Sequence, residues 1–189
     1  MSKYTSIAVA ALLLCLSCLF GTGTGDGDQP DQTTVLGTLN SFVDVWNSGD
    51  VEVYEDLLDE DFTFHFDPAD AEDDDIPDEW YYDDEVGAYT DIFAALGEGN
   101  VAAWLDLSGV SEPGGDEDTC TVNGVPYLVL FIQGNDSYRA EAHLDMTLAK
   151  SGGQWFITEW WDRVSWRLPG IWETTWGAVK AIYGGGNDG

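Results

Sequence analysis

Residues 138–149 alternate without a break. Tyr138, Ala140, Ala142, Leu144, Met146 and Leu148 fall on one face of an extended chain, and Arg139, Glu141, His143, Asp145 and Thr147 fall on the other. Side chains of a strand point alternately to its two faces, so this pattern requires a long strand with one dry and one wet side. Gly152-Gly153 then makes a hairpin turn, and Gln154 to Val164 returns beside it. Thr121 to Gln133 is another long extended segment, apolar from Tyr127 to Ile132, and Val101 to Leu107 a shorter one. A sheet of this kind needs a second layer over its dry face.

The N-terminal half supplies that layer. Val35, Leu39, Phe42, Val43 and Trp46 recur at helical spacing over Thr34 to Trp46. Thr33 or Thr34 caps the start, and Asn47-Ser48-Gly49 ends the helix. Asp50 caps a second short helix through Leu58, with Tyr54, Leu57 and Leu58 on its buried side. Asp84 to Leu96 is a third helix, striped by Val86, Tyr89, Ile92, Phe93 and Leu96. Between the second and third helices, Asp61 to Pro68 has strand period, with Phe62, Phe64 and Phe66 on one face and Thr63, His65 and Asp67 on the other. Ala69 to Asp84 reads as an acid-rich loop whose Trp80, Tyr81 and Tyr82 either pin it to the core or serve as a binding lid. Helices ahead of an antiparallel sheet give an α+β class.

The chain's ends read differently. Residues 1–20 carry Lys3 and the apolar run Ile7 to Phe20, too short to span a bilayer and suited to a signal core. Ser17-Cys18 resembles a bacterial lipoprotein cleavage site, with Cys18 as the lipidated residue; the alternative is that Cys15 and Cys18 leave together with the signal. Residues 21–32 have the composition of a flexible linker. The expected location is therefore extracytoplasmic, either anchored to a bacterial membrane or secreted or periplasmic. The membrane would be contacted through the lipid alone. Residues 166–189 form a Trp-rich extension in which Thr174 or Thr175 caps a short helix through Tyr183, packing by Trp176, Val179 and Ile182 or Tyr183.

Thirty-six acids against six bases give a formal net charge of -30 over 189 residues, which excludes nucleic acid as a partner. The acids read as a solubilising surface; no run completes a calcium-binding loop. His143 with Asp145 or Glu141 falls short of the three or four ligands of a zinc site, so no metal and no cofactor is expected. Cys120 is left alone in the mature domain and reads as an unreactive strand-edge thiol.

Four segments, Trp46-Asn47-Ser48-Gly49-Asp50, Leu57-Leu58-Asp59-Glu60-Asp61-Phe62, the strand ending Asp67-Pro68, and Gly153-Gln154-Trp155-Phe156-Ile157, appear in the order helix, helix, strand, helix, long strands. Over about residues 33–165 this resembles the nuclear transport factor 2-like superfamily, which includes SnoaL-like polyketide cyclases and ketosteroid isomerase. The resemblance implies a curved antiparallel sheet wrapped around the helices as a cone with an apolar pocket, often dimeric through the sheet. It also implies a general-base role for Asp67, the acid before the proline; His65 shares a strand face with Asp67 two residues away and is the candidate partner that would orient it. The hydroxyl donor of the isomerases falls at Phe42, which has none, and their second donor falls near Asp145, on the polar face of its strand.

Three functions follow. The first is an exported, lipid-anchored module binding a small apolar or aromatic molecule in a pocket lined by Phe64, Trp104, Tyr127, Trp160 and Trp161. The second is an isomerase- or cyclase-like enzyme using Asp67 and His65. The third is a homodimeric interaction scaffold.

Overall fold

The computed structural model describes residues 29–68, 76–97, 99–114, 117–134, 136–163, 176–177 and 179–180. The expected signal, Cys18 and most of the linker lie outside these residues. The described elements, in chain order, are α1 (Val35–Ser48), α2 (Val51–Leu57), β1 (Leu58–His65), β2 (Glu79–Tyr81), α3 (Tyr82–Leu96), β3 (Val101–Leu105), β4 (Thr119–Gln133), β5 (Asp136–Ser151) and β6 (Gln154–Arg163). No described helix is long and apolar enough to cross a membrane.

The helices form where caps and apolar stripes coincide. The Thr34 hydroxyl accepts from the Gly37 N–H at 2.9 Å, and the Asp50 carboxylate accepts from the Val53 N–H at 3.2 Å. Gly49, at φ 79°, closes α1 through its N–H to the Val45 carbonyl. The buried stripe of α1 is Val35, Leu39, Phe42, Val45 and Trp46; Val43 is only half-buried.

The strands form one six-stranded sheet in the order β2-β1-β6-β5-β4-β3. Its pairings are antiparallel except for β1 with β6, which run parallel and set Phe64 beside Trp160. The sheet is antiparallel as expected, apart from this one pair. β1 and β6 are far apart in the chain, and the stretch between them, β2, α3, β3, β4 and β5, is long enough a connection to permit parallel pairing. Register shifts at Val122/Val125, where Gly124 takes φ 63°, and at Thr147/Leu148 mark bulges that bend the long strands. The curved inner face carries Ala140, Ala142, Leu144, Met146 and Leu148 of β5, all buried, against the helices.

Two boundaries move. β2 lies inside the expected loop and carries Trp80 into the core, while Tyr81 stays exposed. Gln32, assigned to the linker, is 4% exposed. Its amide donates to the Asp56 carbonyl at 2.9 Å and to the Trp155 carbonyl at 3.1 Å, and its own carbonyl accepts from the Trp155 N–H. The folded domain thus begins before residue 33.

Candidate functional site

The interior between sheet and helices is aromatic. Trp46 and Phe42 project from α1, Tyr54 from α2, Phe64 from β1, Tyr89 from α3 and Trp160 from β6, all fully buried. Several meet edge to face: Trp46 and Tyr89 centroids are 4.9 Å apart at 81°, and Phe64 and Trp160 are 5.0 Å apart at 81°, while Tyr54 and Tyr89 stack at 4.1 Å. Trp176, fully buried, enters from the C-terminal extension and contacts Trp46 at 4.5 Å and Trp160 at 4.6 Å. Trp176, Gly177, Val179 and Lys180 have helical backbone, as the sequence pattern predicts.

Two carboxylates stand in this apolar surround. Glu85 is 0% exposed and Asp162 is 1% exposed. A buried charge is tolerated only when hydrogen-bonded and paired, and every Glu85 oxygen is engaged. Oε1 accepts from the Tyr54 hydroxyl and lies 2.6 Å from the Lys180 Nζ; Oε2 accepts from the Trp80 Nε1 at 3.0 Å. Asp162 Oδ1 accepts from the Tyr127 hydroxyl at 2.8 Å, and Oδ2 from the Gly177 N–H at 2.7 Å. The Tyr127 hydroxyl in turn accepts from the Trp176 N–H at 2.9 Å. The C-terminal segment is therefore held by the two interior acids and one tyrosine.

Lys180 is 0% exposed. Its ammonium lies 3.5 Å from the Trp160 ring centroid and 4.0 Å from that of Phe64, with Trp176 at 5.7 Å and Trp46 at 5.8 Å. Burial lowers its pKa from 10.5 to about 8, against the opposing pull of Glu85 and Asp162. Burial, then the Glu85 charge, pushes the Tyr54 hydroxyl well above its ordinary value. Both directions come from a dry, crowded centre.

The residues named from sequence divide between two faces of the sheet. Phe64, Tyr127 and Trp160 line the interior. Trp104 is 44% exposed and stands outside it. Trp161 is half-buried and stacks on His65, with centroids 3.5 Å apart, while Arg163 lies over its ring at 4.8 Å. β6 alternates, so Trp160 and Asp162 point in while Trp161 and Arg163 point out. The outer group is a separate surface cluster: His65 Nδ1 is 3.5 Å from Glu79, and Arg163 Nε donates to Asp145 at 3.3 Å. Burial lowers the His65 pKa. Asp67 is half-buried just past the end of β1. The structure does not bring His65 to the interior acids.

Glu85, Asp162 and Lys180 were missing from the sequence expectations for the site. Each carried a signal. Glu85 sits one turn before Tyr89 on the apolar stripe of α3, Asp162 has the parity of Trp160, and Lys180 follows Trp176 by one turn. An open hollow of about 470 Å³ between residues 106–111 and 121–126 is lined by none of these interior groups.

No protein-family model matches the chain, and no curated protein does. Solved structures do match its fold. A candidate aromatic ring hydroxylase from Novosphingobium aromaticivorans aligns at a TM-score of 0.57 with 12% identity, over 75% of this chain and 93% of that one. A candidate scytalone dehydratase from the same organism aligns at 0.54 with 12% identity, over 67% and 78%. An NTF2-like protein of unknown function in nutrient uptake from Rhodospirillum rubrum aligns at 0.52 with 16% identity, over 70% and 98%.

Proposed function

From the premise that this chain has the nuclear transport factor 2-like fold, we propose that it is a small-ligand-binding domain, exported and tethered through Cys18, whose aromatic interior is the ligand compartment. One observation carries this reading: polar groups converge inside the cone where a purely structural core would place none. Glu85 and Asp162 arrive from different elements, with Tyr54 and Tyr127 beside them. Pockets for small molecules have this composition, mostly apolar with a few placed polar groups. Supporting it, the indole N–H groups of Trp160 and Trp176 are buried without an acceptor. Leaving such a donor unmade costs about 1–3 kcal/mol, and an acceptor atom on a ligand would relieve it.

In this reading the C-terminal segment closes the compartment from within its own subunit. It enters on three polar contacts and the Trp176 ring, an attachment that can be exchanged for a ligand. The enzyme reading with Asp67 as general base draws less support, because its partner His65 is stacked on Trp161 on the other face of the sheet.

Native mass spectrometry of the protein released gently from membranes of its host tests the proposal. The expected result is a lipidated species carrying a discrete additional small-molecule mass. Protein that retains no such mass, and whose tryptophan fluorescence responds to no member of a small-molecule library, would refute it.

A further inference from the structure

We propose that β4 accepts an extended, positively charged peptide segment as an added strand along its open edge at Thr119 and Thr121. The site is separate from the aromatic interior and does not depend on it. β3 pairs with β4 only from Phe131 to Tyr127, whereas β4 extends back to Thr119. Among the described residues no strand lies beside residues 119–125 on that side.

The ladder fixes which backbone groups face outward. The Lys150 N–H donates to the Asp118 carbonyl at 2.8 Å, and Thr119 opposes Ala149, so Asp118 and Lys150 are a hydrogen-bonded pair. Such pairs alternate along an antiparallel ladder. Cys120 and Val122 therefore turn their backbone groups to β5, while Thr119 and Thr121 turn their N–H and C=O groups to the open side. Both threonines are exposed, and they stand at the two-residue spacing at which a neighbouring strand bonds. The open stretch ends at the bulge, where Asp145 Oδ1 accepts from the Gly124 N–H at 2.6 Å and the Pro126 carbonyl accepts from the Asp106 N–H at 2.9 Å.

The hollow of about 470 Å³ lies against this edge, with Thr121 to Pro126 on one side and residues 106–111 on the other. The facing wall is pinned at both ends, by the Asp106 bond to Pro126 and by Glu112, whose carboxylate accepts from the Val35 and Leu36 N–H groups at 3.1 and 2.8 Å. Room for a strand is thus present before a partner arrives. Farther along, the same side of the sheet is closed. Asn47 Nδ2 donates to the Ala103 carbonyl at 3.2 Å, and its Oδ1 accepts from the Ala103 N–H at 2.9 Å. An unblocked strand edge is a template for another chain, and this fold blocks β3 and leaves β4 open.

Charge selects the occupant. Asp106 lines the hollow, Glu117 and Asp118 are exposed where the chain enters β4, and the Glu112 and Glu117 charges both reach Cys120 between the two threonines. Lys150, opposite Asp118, lies over the Trp155 ring at 5.6 Å. A second copy of this chain, at a net charge of -30, is repelled from such an edge, as is an acidic peptide. A strand carrying lysine or arginine is attracted, and its backbone supplies the hydrogen bonds.

The test uses the full chain and three end-capped peptides: Lys-Val-Lys-Val-Lys, the same peptide N-methylated at every residue, and Glu-Val-Glu-Val-Glu. The lysine peptide should bind about tenfold or more tightly than either of the others and should slow hydrogen exchange at the Thr119 and Thr121 amides. Thr121→Pro removes an N–H from the open side and none from the ladder to β5, a position where an edge strand tolerates proline. It should weaken the lysine peptide about tenfold, while Thr121→Val leaves binding unchanged. Should Thr121→Pro fail to fold, the comparison of peptides decides alone. Equal binding of the N-methylated form would mean attraction to the acidic surface only and would overturn the added strand. Equal binding of the acidic peptide would overturn the charge assignment. Binding that leaves both amides unprotected, or no binding of the lysine peptide, would overturn the site.

Discussion

Raising the pH should stabilise this protein, against the usual trend for a chain so rich in acids, and Lys180 is the reason. Its pKa is lowered from 10.5 in the unfolded chain to about 8 in the fold, chiefly by burial. Between these values the unfolded state binds the proton and the native state does not. Stability therefore rises as pH climbs through this window. The full shift, from 10.5 to about 8, is worth about 3 kcal/mol. From pH 7 to about 9.5 the linkage integral recovers about 2 kcal/mol of it. The scan should stop there. Tyr54 and Tyr89 have raised pKa values in the fold, so the stability they contribute is present below pH 10 and is lost as the pH rises further. Urea titrations at half-unit steps, with salt held constant, give the curve. A wild type that gains about 2 kcal/mol, beside a Lys180→Met variant that gains none, fits the docked segment. A flat or falling wild-type curve would mean that Lys180 keeps its ordinary pKa in water, and the buried cation of this structure would be refuted.

Other perturbations follow from the same contacts. Lys180→Met alone removes the Nζ hydrogen bond to Glu85 and should cost about 1–3 kcal/mol. The Glu85→Gln/Lys180→Met pair should cost clearly less than the sum of the two single changes, read from a double-mutant cycle in urea. Gly49→Ala should lower stability by about 2–4 kcal/mol, since it takes a side chain at φ 79° with its Cβ 2.6 Å from Phe93 Cδ1; the urea midpoint measures it. Cys120 should react slowly with a disulfide reagent at pH 8 and far faster in denaturant, because burial and then the Glu112 and Glu117 charges push its pKa up. Added salt should raise the thermal midpoint steadily, as expected where a net charge of -30 repels itself.

Much of the fold could be read from local pattern. The alternation at 138–149, the three helix stripes and the caps at Thr34 and Asp50 each depend on residues a few positions apart, and the described elements follow them. Errors fell where the deciding partner is distant. The α1 stripe takes Val45 in place of Val43: Val45 is buried, its carbonyl accepting from the Tyr89 hydroxyl of α3, and Val43 is half-buried. The strand parity of Phe64 was readable, but the parallel alignment with Trp160 was not, since alternation says which face a residue takes and nothing about its neighbour. Gln32 looked like linker because its role depends on carbonyls at residues 56 and 155.

The interior charges were half legible for the same reason, and the missing half follows from counting bases. Glu85 on an apolar stripe and Asp162 at the parity of Trp160 each announce an acid pointing inward. An acid in that position needs a proton or a cation, and this chain has only six bases. Lys3 falls in the expected signal and Arg167 lies outside the described residues. Arg139 pairs with Glu141, Arg163 pairs with Asp145, and Lys150 lies over the Trp155 ring at 5.6 Å. Lys180 remains, and it meets Glu85 across 95 residues of chain. In a protein with acids in such excess, a lysine placed at the dry centre instead of the surface is the least replaceable charge it has. That ammonium joins the C-terminal segment to Glu85, beside the backbone contacts of Trp176 to Tyr127 and of Gly177 to Asp162.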